Sequence, residues 1–471
     1  MNRLRDMRLA SATTGLLAGL LLLGACDQPL EVNPTSSIPQ EEALDSPQEI
    51  SAGVRGIYDA LQQDGSYSRN LIVFPDLFTD NLDFTGTFDT DAEVDDGLVT
   101  AANGSVSGIW SAAYALINRA NNVLAAIPNV ADLDAASAAR FRGEALFLRA
   151  LTYHNLARWF GGVPLVTEPE WVITPEVNVP RSTEAEIYAF IEQSLQEAIT
   201  LLPATSADFR LTSGAARALL ARVSLDAASL AGATPADAAT RWAAARDLAT
   251  AVITSGRYQL TRPYSNLFAV ENSPESIFSI QYTINDDNFL AFWFFPSHLG
   301  GRRGFAPTAN LRTALQGQGG DRLNATLDIY FTAAGALRRY GKKFFRVATG
   351  DDNVIVLRLA EMYLIRAEAN WRLNPADVTT ILADLNEVRR RSNVPDLLPS
   401  DVTTATALRD AILRERRLEF ALEGHRFFDL RRMLGPAAAA TFLGIDEFRL
   451  YFPIPQRELD ANTALEQNPG Y

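Results

Sequence analysis

The chain has 471 residues, 47% of them hydrophobic and 21% charged, with 42 Lys and Arg against 56 Asp and Glu and a single cysteine. Length and composition fit one large globular body, or two to three closely packed domains, able to bury a core without disulfides. The net charge of −14 argues against nucleic acid or anionic lipid as the main ligand.

In chain order, Arg3, Arg5 and Arg8 precede an apolar run from Leu16 to Leu23. That run falls short of the about 20 apolar residues a bilayer span needs. Residues 1–25 therefore read as a secretory signal. They carry three Arg and one Asp, so their removal takes the net charge to −16. The lone cysteine, Cys26, directly follows Leu23-Gly24-Ala25, and in an exported chain an odd cysteine is otherwise a free thiol. The stretch resembles a bacterial lipobox, which implies cleavage before Cys26 and acylation of its sulfur and amine. Residues 26–46, rich in Pro, Ser and acid, read as a tether. At ~3.3 Å per residue it spans at most ~65 Å. Asp27 is compatible both with retention at an inner membrane and with export to the surface, and the sequence does not choose.

The body, 47–471, is dominated by helical periodicity. From Ser107 to Ile127 one stripe holds Ile109, Ala113, Leu116, Ile117, Ala120 and Leu124. A long helix is predicted from Ala135 to Phe160, ended by Gly161-Gly162. The next, from Ser182 to Leu202, opens on a capping pattern, Ser182 or Thr183 with acids behind it. Three segments echo one another: "EALFLRALTYHNLARW" from Glu144, "GAARALLARVSLDAASL" from Gly214 and "LRLAEMYLIRAEANWRL" from Leu357. Each sets small Ala beside bulky partners, and each is followed by a second helix, at 182–202, 237–254 and 378–391. That is the logic of tetratricopeptide-type (TPR) hairpins, here irregularly spaced. The fold class is therefore mostly α, with TPR-like hairpins forming a frame. Two loop-rich segments, about 74–102 and 258–350, interrupt it; they read as non-helical apart from short strands at "SIFSIQYT" and "GKKFFRV", and as the ligand-bearing side.

Candidate chemistry is sparse. His154, His298 and His425 have no metal-ligand spacing, and neither HExxH nor GxSxG occurs. "GALRRYGKK" departs from a P-loop in glycine spacing and in Lys343. The acidic run Asp89, Asp91, Glu93, Asp95 and Asp96 has the oxygen ligands of a Ca²⁺ site but lacks the EF-hand glycine, and reads first as a solvated acidic loop. The stretch from Asn288 to Phe305 is more informative. Phe292, Trp293, Phe294 and Phe295 lie between Asp286, Asp287 and Asn288 on one side and His298, Arg302 and Arg303 on the other. Flat rings beside planar donors suit a sugar, whose C–H face stacks while its hydroxyls pair. Core packing is the competing reading, and at least one of these rings is expected in the core. A second mixed surface is "FPDLFTDNLDFTGTFD", from Phe74 to Asp89. The candidate ligand residues are Phe84, Trp293, Phe294 and Arg302; no catalytic or metal-binding set is assigned, and no cofactor.

The stretch "LRDAILRERRLEFALEGHRFFDLRRMLG", Leu408 to Gly435, places Leu408, Ala411, Ile412, Leu418 and Leu422 along one helical side. Glu415 and Glu419 fall near that side and require partners, which nearby arginines can supply. The region 408–471 resembles the C-terminal signature of the SusD/RagB family of outer-membrane nutrient-binding lipoproteins. "FPIPQRELDANTALEQNPGY" resembles its ending, "RGEALFLRALTYHNLARWFGGVPL" its mid-chain helix and exit, and "GRRGFAPTANL" its later loop. The resemblance implies a non-catalytic binder of glycans, or in some members peptides, anchored to the outer membrane at Cys26 and exposed at the cell surface. It implies a partner, a TonB-dependent transporter of the SusC/RagA type, and makes the C-terminal signature structural. An assembly lipoprotein of TPR type and a glycosidase are the rival readings.

Overall fold

The computed structural model describes residues 43–170, 178–206 and 209–471; the leader, Cys26 and the tether as far as residue 42 lie outside the described residues. The body begins slightly before the predicted boundary. Ser46 caps the first helix, α1 (Pro47–Ala60), through a capping box with Glu49, and Leu44 packs against the core.

The frame continues through α2 (Gly104–Ala126), α3 (Ala135–Phe160), α4 (Glu184–Leu201), α5 (Ser213–Ala227) and α6 (Pro235–Thr254). Caps fix their starts. Asn103 accepts from Ser105 N and Val106 N, Asp134 from Ala136 N and Ser137 N, and Thr183 forms a reciprocal box with Glu186. Gly161 ends α3 at φ 73°, a conformation that costs other residues about 1 kcal/mol or more. A Cβ on Gly162 would lie 2.4 Å from Ser182 O, so the chain can turn back there only without one.

The predicted hairpins form. α3 packs on α4, α5 on α6, and α7 (Leu359–Leu373) on α8 (Val378–Arg391). They also stack on each other: α4 lies against α5 and α6 against α7, although the whole irregular region lies between the last two in sequence. Fully buried alanines sit at these contacts, including Ala145 and Ala150 in α3, Ala216 and Ala221 in α5, and Ala360 and Ala367 in α7. Small side chains on one helix admit bulky ones from the next, which lets the axes approach closely.

The last frame helix, α9 (Ala405–Glu419), is shorter than its apolar pattern predicted. Leu422 is buried but lies beyond the helix, in the left-handed region at φ 65°, and a second helix runs from Arg426 to Leu434. The break is built on Gly424, whose Cα approaches α-helical residue Leu71 so closely that a Cβ would lie 2.4 Å from its carbonyl oxygen.

The irregular regions hold six short strands in three antiparallel pairs: β1 (Leu82–Phe84) with β3 (Phe305–Pro307), β2 (Ser276–Ile280) with β6 (Val354–Arg358), and β4 (Leu327–Phe331) with β5 (Leu337–Gly341). "SIFSIQYT" supplies β2 as expected. "GKKFFRV" does not form a strand; the strand precedes it, because Leu337 to Gly341 is where a partner, β4, is available across a tight turn. Region 74–102 is also not wholly non-helical. Asn70–Leu77 and Asp89–Asp95 are short helices, the second favoured by Asp89 and Asp91 in its first turn, where carboxylates oppose the positive end of the helix dipole.

A buried ionic knot ties the irregular part to the frame. Glu419 at the end of α9 meets Arg322, Arg358 of β6 and Arg391 of α8; Glu275 also meets Arg358 (2.9 Å) and Arg391. Glu415 pairs with Arg322 (2.6 Å) and Arg389 (2.9 Å). These are the partners the sequence required for Glu415 and Glu419. The C-terminal tail is pinned to the exit of α3: Trp159 stacks on Phe452 at 4.4 Å, and Asn468 Nδ2 donates to Phe160 O (3.0 Å) and Phe452 O (2.7 Å).

Candidate functional site

The β1–β3 ladder decides the geometry. It pairs Phe84 with Phe305, so the two irregular regions, distant in sequence, meet at one surface. Thr85 N donates to Gly304 O at 2.8 Å and extends the join by one residue. A short helix, Leu290–Phe294, then lays Trp293 over this seam.

Four rings follow one another across it. Phe289 to Phe292 is 6.1 Å between centroids, Phe292 to Trp293 5.6 Å, and Trp293 to Phe88 6.1 Å, all near edge-on. Phe289 and Phe88 are 52% and 44% exposed, whereas Phe292, Trp293 and Phe84 are half-buried. Exposed aromatics that rest on half-buried ones are hydrophobic area held open to solvent at a fixed place.

Two arginines frame Trp293. The exposed Arg302 lies 4.5 Å from the Phe88 centroid and 5.3 Å from that of Trp293, and its Nη2 donates to Thr87 Oγ1 at 3.1 Å. The buried Arg69 lies 4.8 Å from the Trp293 centroid and 5.1 Å from that of Phe305. Arg69 forms a close ion pair with Asp91. Burial pushes the Asp91 carboxyl up, and the Arg69 guanidinium opposes that shift. The backbone beneath Arg302 is also constrained. Arg303 adopts φ 51°, its carbonyl accepts from Thr85 Oγ1, and its Nε donates to Arg339 O at 3.0 Å. A non-glycine residue in that region is held there by its surroundings. Gly304 lets the chain pass under the indole, since a Cβ there would lie 3.0 Å from Trp293 Cε3.

Three of the four predicted ligand residues, Phe84, Trp293 and Arg302, are thus brought together. Phe294 is a correction: it is 1% exposed, stacked on Phe344 at 6.4 Å and packed on Phe305, so it belongs to the core. One turn of helix cannot point two successive side chains the same way, and Trp293 takes the outer position. Sequence reasoning missed Phe88 and Phe289, the most open rings. Their signal was position: each adjoins a polar cluster, Asp89 to Asp91 and Asp286 to Asn288. Arg69 gave no signal, being a cation under a ring.

The acidic run is not a solvated loop. Along its helix the carboxylates diverge: Asp91 to Arg69, Glu93 to Asn103 Nδ2 (2.9 Å) and Thr100 N (3.1 Å), and Asp95 to Phe84 N (2.9 Å). Burial pushes the Asp95 carboxyl up to about 6 despite that bond. Among the described residues, no three or more His, Cys, Asp or Glu side chains gather as a metal site.

A stacked-hairpin frame carrying a loop-borne aromatic and guanidinium surface has the build of a ligand-binding protein, with its candidate recognition residues outside the repeats. The comparisons give the class a family. Residues 336–471 match the model of the SusD family, and residues 29–225 match a second SusD-like model described as starch-binding and associating with the outer membrane. SusD-like protein P38 of Formosa agariphila is 26% identical over 98% of this chain and 99% of that protein. The starch-binding protein SusD of Bacteroides thetaiotaomicron is 32% identical over 28% of this chain and 24% of that protein. Among solved structures, a laminarin-binding SusD-like protein superposes with a TM-score of 0.76 at 27% identity, covering 91% of this chain and all of that one. A SusD-superfamily protein of Bacteroides vulgatus reaches 0.80 at 21% identity over 91% of this chain and all of that one, a likeness of fold. The chain belongs to the SusD/RagB family.

Proposed function

We propose that this protein is a non-catalytic, cell-surface binder that captures oligosaccharide and hands it to a TonB-dependent SusC/RagA-type transporter, held to the outer membrane through acylated Cys26. The observation that carries the proposal is the row Phe289–Phe292–Trp293–Phe88 with Arg302 at its edge. Exposed rings offer stacking to the C–H face of a pyranose, and a guanidinium that keeps free donors beside them can pair with its hydroxyls. The family description and the laminarin-binding relative support a glycan as the ligand class.

Magnitude supports capture assisted by a partner. Covering ~100 Å² on each of two rings yields about 5 kcal/mol before association costs, near millimolar affinity. Such a surface retains its cargo efficiently only if another surface closes over it.

Affinity electrophoresis through gels holding laminarin, starch or other neutral glycans tests the reading. A retarding glycan should be found, and Phe88→Ala with Arg302→Ala should weaken the retardation at least tenfold with an unchanged melting temperature. Full retardation of that double variant would remove the surface from the binding site. Product released from the glycan by the purified protein would instead make it a glycosidase.

A further inference from the structure

Directly after the helix that presents Trp293 comes Phe295, in extended conformation and turned to another side. Phe295 packs edge-on against Tyr340 at 4.9 Å and lines a separate concavity of about 660 Å³, within the about 300–1,000 Å³ of ordinary small-ligand sites. The geometry points to a second carbohydrate site in this concavity, one that takes a neutral sugar unit of the same glycan.

Its walls have the two components that sugar recognition needs. Phe268, Phe295, Tyr340 and Phe345 supply rings from three separate stretches of chain, and Phe345 is 39% exposed. Asp321, Asn324, Asp328 and Lys342 supply the polar edge. Strand register explains why these converge. Asp328 of β4 stands directly opposite Tyr340 of β5, and Lys342, two residues further on, faces the same way. Lys342 Nζ donates to Asp328 Oδ2 at 3.2 Å, and Asn393 Nδ2 donates to Asp321 Oδ2 at 2.6 Å, so both carboxylates are held in place with lone pairs to spare.

Two carboxylates against one ammonium leave the lining net negative, which disfavours uronic or sulfated sugars. Neutral hydroxyls can donate to Asp321 and Asp328 and accept from Asn324 and Lys342 while a ring stacks on Phe345. Two weak sites on one chain would hold a long glycan more tightly than either alone, provided the ligand spans both.

For its ligand class this proposal rests on the glycan reading of the Trp293 surface, but the two fail separately. Equilibrium dialysis of the purified protein against maltotriose, laminaritriose, cellotriose, mannotriose and xylotriose counts the sites. With a probe that binds, the protein should take up two equivalents at saturation. Phe345→Ala with Asn324→Ala should lose one, and Phe88→Ala with Arg302→Ala should lose the other. One equivalent, lost only in the Phe88/Arg302 variant, would overturn the second site and leave the first. One equivalent, lost only in the Phe345/Asn324 variant, would overturn the Trp293 surface and leave the second. Uptake of none of the probes would overturn both, and trigalacturonate bound in the concavity would overturn the neutral class.

Discussion

Phe294 and Trp293 are consecutive aromatics with opposite duties. Phe294 packs on Phe305 and Phe344 in the core, so Phe294→Ala should destabilise by about 3–5 kcal/mol in denaturant unfolding, with glycan binding unchanged in the fraction that remains folded. Loss of binding without loss of stability would return it to the site. His154 makes a pH-dependent case. Burial first, and the Arg158 charge next, push its imidazole down to about 4, although Asp226 works the other way. Its Nε2 lies 2.8 Å from Asp226 Oδ2, while its buried Nδ1 has no hydrogen-bond partner, so protonation there would bury an unpaired N–H. The ring is neutral in the folded protein. Between about 4 and the ordinary histidine value of 6.5 the unfolded chain binds one more proton, so this group's stability is present at neutral pH and is lost as pH falls. His154→Gln keeps a donor to Asp226 and removes the titration. The advantage of wild type over this variant should narrow by about 1.4 kcal/mol per pH unit on acidification from 6.5 toward 4. A constant difference across that range would show that the imidazole is charged in the fold.

At the scale of elements, helices were legible where periodicity and caps agreed. α3 runs over its predicted span, with buried alanines and leucines at helical spacing, and α8 over 378–391, with Ile381, Leu382, Leu385 and Val388 buried at that spacing. What was not legible depended on partners distant in sequence. The β1–β3 pairing that assembles the candidate surface joins Phe84 to Phe305, and three-residue strands carry no period of their own. The displacement of the predicted strand from 341–347 to 337–341 has the same origin, since β4 selects the register. The site was half-legible for this reason: its ring-rich segments were visible, but which rings face out was set by packing. Charge gave a better guide, because the acids of α9 could be seen to need partners. In Glu419 burial raises the carboxyl, but Arg391, Arg358 and Arg322 outweigh it and hold the group well below the usual range. Glu419→Gln would leave three buried guanidiniums short of counter-charge. It should cost about 3–5 kcal/mol and unfasten β6 and α8 from α9 together. A shift below about 1 kcal/mol in urea unfolding would mean that Glu275, Glu415 and Glu423, which pairs with Arg358 at 2.7 Å, carry the knot without it.

For the whole molecule, the frame and the candidate binding surface solve different problems. Stacked hairpins and the buried knot fasten the irregular segments to the frame, so the open rings would be presented without a large ordering cost at each proposed capture. Under the proposed function the rings alone would bind weakly, so retention would depend on keeping the body beside a second surface. On the proposed reading, an acyl anchor at Cys26 would keep the body beside its partner. A single acyl chain holds a protein only marginally, whereas several on one cysteine would hold it durably. With Leu44 already packed on the body, residues 26–43 would let it reach at most ~60 Å from such an anchor, enough to cover a partner transporter beside it and too little to diffuse away. Cys26→Ala should therefore release the protein from the outer-membrane fraction, while the purified body keeps its glycan affinity within twofold. Copurification with the transporter should fall at least tenfold, because the partners then meet only at their bulk concentrations. Undiminished outer-membrane retention of the variant would refute the acyl anchor. If release were complete but copurification unchanged, the protein contact alone would hold the pair, and the tether would be only a spacer.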